Sequence, residues 1–96
     1  MAPVIRSRPQ DAEAFEGASV RFECTVVADP PPSITWFRNG AALATSRKHE
    51  ILRGEEALIV RDVGARDQGV YECVATNAAG EARASATLTV FGKLVP

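Results

Sequence analysis

Short runs in which apolar and polar residues alternate recur along this chain at the spacing of an all-β sandwich. The clearest sets Val20, Phe22, Cys24 and Val26 against Arg21, Glu23 and Thr25, a period of two that buries one face of a strand and wets the other. Ile34 and Trp36 face inward on the next predicted strand, with Thr35 and Phe37 outward. Asn39-Gly40 then supplies residues that tolerate positive φ in a tight hairpin. Val4 and Ile5 open a first strand, Pro9 interrupts it as only an edge or a kink allows, and the strand resumes around Ala12 to Phe15. Arg47 to Leu52 predicts a short strand, and Leu58, Val60 and Val63 mark another. Tyr71, Cys73 and Ala75 point inward against Val70, Glu72, Val74 and Thr76 outward. Ala84, Ala86, Leu88 and Val90 fill the inner face of the last strand, reached through an Asn77-Ala78-Ala79-Gly80 hairpin. Pro30-Pro31-Pro32 predicts a stiff loop compatible with a cis bond.

Composition narrows the class without changing it. The 96 residues fit one domain, with 46% hydrophobic and 24% charged residues. A net charge of -1 gives no basic face for phosphate backbones, so nucleic acid is not an expected partner. No apolar run approaches the roughly 20 residues that span a bilayer, and no membrane insertion is expected of this segment. Met1-Ala2-Pro3 does not resemble a signal peptide, but the ends read as cuts within a longer protein, so this decides little.

Catalytic chemistry finds no constellation. A nucleophilic triad needs a histidine near Ser, Cys or Thr with an orienting acid, and the sole histidine, His49, is expected as an exposed loop imidazole. Cys24, Cys73 and His49 fall short of the four ligands of a structural zinc site, and no cofactor is expected. Asp67 reads as a structural cap before Tyr71 rather than half of a carboxylate pair. Arg47-Lys48-His49 is a short basic run that suits a solvated surface better than a site for sulfated sugars or acidic proteins. Arg53-Gly54-Glu55 has one methylene too many for an integrin-binding Arg-Gly-Asp tripeptide.

The strongest signal is combined: Cys24, then Trp36, then Asp67-Gln68-Gly69-Val70-Tyr71-Glu72-Cys73. With Leu58, Ala75, Asn77 and Gly80, these residues resemble the pattern of I-set immunoglobulin domains across Pro3 to Phe91. Ile34 to Gly40, Ala75 to Glu81 and Val90-Phe91 are most similar to the third immunoglobulin domain of neural cell adhesion molecules, and related runs occur in intracellular muscle scaffolds. The resemblance implies two antiparallel sheets with Greek-key connections, and a core built on Trp36, Leu58, Asp67 and Tyr71. It also implies facing Cys24 and Cys73. Oxidised, the pair closes a loop of about 50 residues and contributes roughly 4 kcal/mol, which favours a cell-surface setting; reduced, it is two small hydrophobes, as in cytosolic relatives.

The expected organisation is an immunoglobulin-like domain over residues 1–91, with 92–96 starting an interdomain linker. The expected function is protein recognition, homophilic or heterophilic or with neighbouring immunoglobulin domains, in a cell-surface adhesion protein. A module of an intracellular cytoskeletal or sarcomeric scaffold or of a muscle-type kinase is the alternative, and the chain's lack of any glycosylation sequon leans that way. The candidate contact surface is Phe37 and Val74, placed side by side on neighbouring strands and rimmed by Thr35, Glu72 and Thr76; the alternative is that the strand following Asn39-Gly40, or the long side chain of Arg38 or Arg83, covers them.

Overall fold

A computed structural model of the chain describes residues 1–92. Among these, ten strands form two packed layers: β1 (Val4–Ser7), β2 (Ala12–Phe15), β3 (Val20–Glu23), β4 (Thr25–Val27), β5 (Ser33–Arg38), β6 (Ala41–Ala42), β7 (His49–Ile51), β8 (Ala57–Val60), β9 (Gly69–Asn77) and β10 (Gly80–Phe91). One layer runs β2-β10-β9-β5-β6; the other joins β1-β4 with β3-β8-β7. The chain changes layer after β1, β2, β4, β6 and β8, so the core is sewn by crossings. A two-layer sandwich was expected, and every ladder among the described residues is antiparallel save one: β2 runs parallel to β10, with Ala12 beside Leu88 and Phe15 beside Phe91. Pro9, itself buried, ends pairing with β4 and lets the strand swing to the opposite sheet.

Alternation sets the core. Val20, Phe22, Cys24, Ile34, Trp36, Leu58, Val60, Val63, Tyr71, Cys73, Ala75, Ala84, Ala86 and Leu88 are all buried, as the period of two requires. Phe22 stacks on Tyr71 with ring centroids 5.1 Å apart. Cys24 sits where β3 passes into β4, and Glu56 holds that junction by accepting the Cys24 amide at its carbonyl and the Val26 amide at Oε2. Cys24 and Cys73 form a disulfide across the layers, with Cα atoms 6.7 Å apart. Asn39 and Gly40 make the two-residue hairpin at φ 47° and 84°, and the Asp29-Pro30 bond is cis.

The described residues start and finish at opposite poles. The Met1 carbonyl accepts from Asn77 Nδ2 at the end of β9, whereas Phe91 closes β10 beside Glu16, whose amide donates to the Phe91 carbonyl. Of the expected linker 92–96, all but Gly92 lies outside the described residues.

Candidate protein-recognition face

The corner between β8 and β9 is organised around Asp67, the last residue of a 3-10 turn at Ala65–Asp67. Asp67 Oδ2 accepts the Gly64 amide at 2.7 Å, while the Asp67 amide donates back to the Gly64 carbonyl. Tyr71 Oη donates to the Asp67 carbonyl at 2.6 Å, and burial pushes the phenol above its ordinary pKa. Lys48 Nζ lies 2.6 Å from Asp67 Oδ2 and also donates to the Asp62 carbonyl. Trp36 is wholly buried and donates from Nε1 to the Glu55 carbonyl at 2.8 Å.

These contacts account for two surface features of the sequence. Lys48 of the basic run is committed to Asp67 rather than presented to an anion. Arg53-Gly54-Glu55 forms a tight turn, with Gly54 and Glu55 both at positive φ and the Glu55 carbonyl holding Trp36. His49 lies in β7, inside the strand expected over Arg47 to Leu52, but it is half-buried rather than the exposed loop imidazole expected of it, and its pKa is lowered first by that burial.

The outer face of the five-stranded sheet carries the expected contact residues in register: Thr35 lies opposite Val74, Phe37 opposite Glu72 and Ser33 opposite Thr76. Thr35 and Thr76 are exposed, while Phe37 and Glu72 are half-buried. Val74 corrects the exposed reading and agrees with the covered one, since only 6% of it is accessible. Its flanking strands explain this: Arg83 stands directly opposite Val74 on β10, and its guanidinium reaches Glu72 at 3.6 Å and Glu81 at 2.7 Å on the same face. The long stem of an arginine covers apolar surface while its head stays in water.

Other outward apolar residues are more open than Val74. Val70 is 46% exposed and lies diagonal to Phe37 across the β5-β9 ladder. Phe15 and Phe91, exposed on β2 and β10, face each other with centroids 6.0 Å apart. Alternation already turns Phe91 and Val70 outward. The Phe15 pairing was invisible, because it depends on the parallel β2-β10 ladder. Among the described residues no group of three or more His, Cys, Asp or Glu is placed to hold a metal ion, and no helix is long and apolar enough to cross a membrane.

Residues 3–90 match the immunoglobulin I-set domain family. The chain is 36% identical to the human netrin receptor DCC over 94 residues, covering 98% of this chain and 6% of that protein. It is 38% identical to mouse myopalladin over 96 residues, covering 97% and 7% respectively. In structure it is similar to a chain of a mutant complex of titin M10 with an obscurin-like 1 Ig domain, with a TM-score of 0.92, 35% identity and 99% and 98% of the two chains covered. The chain thus spans less than a tenth of these curated relatives' length.

Proposed function

The chain belongs to the immunoglobulin I-set family, and from that premise we propose that it is a non-catalytic protein-recognition module of a multidomain cell-surface adhesion protein. I-set domains of this kind occur in both cell-surface and sarcomeric multidomain proteins. The observation carrying the recognition reading is the outer face of the five-stranded sheet. There Val70 and Phe37 form an apolar diagonal, bordered by Thr35, Glu72 and Thr76. An apolar centre inside a polar rim concentrates the energy of a weak interface, while the rim excludes water. The placement of Met1 and the end of β10 at opposite poles supports a place in a linear array, and the disulfide supports an oxidising compartment. Likeness to myopalladin and to a chain of a titin M10–obscurin-like 1 complex favours a second reading, an intracellular scaffold module.

One measurement tests the face and a second decides between the two readings. Introducing Phe37→Ser with Val70→Lys into the intact parent protein is expected to weaken partner binding or self-association at least tenfold, with circular dichroism unchanged. Unaltered affinity rejects the face and leaves a spacer. Trapping thiols in living cells is expected to find Cys24 and Cys73 oxidised; quantitative alkylation of both assigns the module to the intracellular scaffold.

A further inference from the structure

His49 occupies a position that the fold reserves for core residues. β7 pairs antiparallel with β8, and the register sets His49 directly opposite Val60 and Ile51 opposite Leu58. Directly opposed residues of an antiparallel pair share a face, and Val60 and Leu58 are completely buried. The imidazole therefore points at the sandwich interior from the free edge of its sheet. Its Nε2 is buried without a hydrogen-bond partner, and so is Nε of Arg38 from the facing layer.

The charges around the ring come from three elements. Asp67 of the 3-10 turn is the nearby anion, while Lys48 on the approach to β7 and Arg38 of β5 are cations. Asp67 is already engaged by Lys48, and Arg38 donates to the Arg66 carbonyl, so no free carboxylate waits for an imidazolium. Tyr71 of β9 is neutral and spends its hydroxyl on the Asp67 carbonyl. A proton on His49 adds a third positive charge to a half-buried corner with one anion, and that charge faces apolar neighbours.

We propose that His49 is an acid-sensitive latch: neutral, it lets β7 close the edge of the core, and protonated, it pushes β7 away from β8 and from the Asp67 corner. Burial holds the folded-state pKa of His49 below 6.5. As pH falls, the unfolded chain takes up this proton first. The stabilisation is therefore complete above about pH 6.5 and is lost as pH falls through the folded-state pKa.

His49 is the sole histidine, so its titration can be read without assignment ambiguity. In an NMR titration of the folded chain its ring is expected to titrate below about pH 6.5, and amide exchange at 49 and 51 is expected to quicken over the same range while exchange in β9 does not. The urea midpoint of the natural chain is expected to fall between about pH 7.5 and about pH 5.5, whereas that of His49→Leu stays level there. An imidazole titrating at or above its free value, or equal midpoint losses in both chains, overturns the latch. Should His49→Leu fail to fold, the titration and the exchange profile of the natural chain decide alone.

Discussion

The Lys48 ammonium sits 2.6 Å from Asp67 Oδ2 and ties the approach to edge strand β7 to the corner that precedes β9. Asp67 is the buried charged side chain of the core, at 5% exposure, whereas the lysine is over a third open. Desolvation offsets most of such a pair's attraction when it is intact, but removing the lysine is costly because the buried carboxylate is left without compensation.

Asp67→Ala removes the lysine's partner and the acceptor of the Gly64 amide together. The expected loss is about 2 to 4 kcal/mol in a urea titration. Lys48→Met strands the carboxylate but keeps the Gly64 amide's acceptor, and is expected to cost less, about 1 to 3 kcal/mol. A loss below about 0.5 kcal/mol for Asp67→Ala shows that the corner holds without it.

Tyr71→Phe deletes one buried hydroxyl and leaves the Phe22 stack intact. The expected cost is about 1 to 2 kcal/mol, with an unchanged near-ultraviolet dichroism band from Trp36. A neutral substitution would show that the Asp67 carbonyl is satisfied by water.

Gly69 carries φ of 148°, and a Cβ there would stand 2.5 Å from Asn39 Oδ1, the atom that accepts the Val70 amide. Gly69→Ala is therefore expected to cost about 2 kcal/mol or more and to disturb the hairpin at Asn39-Gly40. In the double variant with Asn39→Ala the clash disappears, and the second substitution is expected to cost less than it does alone, which a double-mutant cycle measures.

Under native, oxidised conditions thiol labelling is expected to find neither Cys24 nor Cys73 free. Replacing both by alanine is expected to cost about 4 kcal/mol, from the freedom returned to an unfolded loop with a separation of 49 residues. Trp36→Ala is expected to cost about 3 to 5 kcal/mol. A cooperative, fully stable alanine variant contradicts the packing of Trp36 described above.

Phe15→Ser and Phe91→Ser act on rings that are 56% and 43% exposed. Each is expected to change the isolated domain's stability by less than about 1 kcal/mol, whereas Val74→Thr, although also on the outer side of its sheet, is expected to cost more. Equal effects at Val74 and Phe91 would mean that Arg83 does not shield the valine.

Strand positions, the inward set and the hairpin at Asn39-Gly40 were legible in the sequence because each rests on local rules. A period of two assigns faces, a positive-φ pair makes a tight turn, and a Cys, Trp, Asp, Gly, Tyr and Cys series marks one family. Val74, His49 and Phe15 were not legible in this way. Whether an outward valine is wet depends on which residue the neighbouring strand sets opposite it, here Arg83. Whether a histidine faces solvent depends on the register of β7 against β8, which the sequence around 47–52 leaves open. The Phe15 partner depends on β2 leaving β1's sheet and joining β10 in parallel, a pairing between residues more than seventy positions apart. Periodicity says which side of a strand a residue takes; only the packed sheets decide what stands on that side, because exposure and protonation are properties of neighbours brought together by chain crossings.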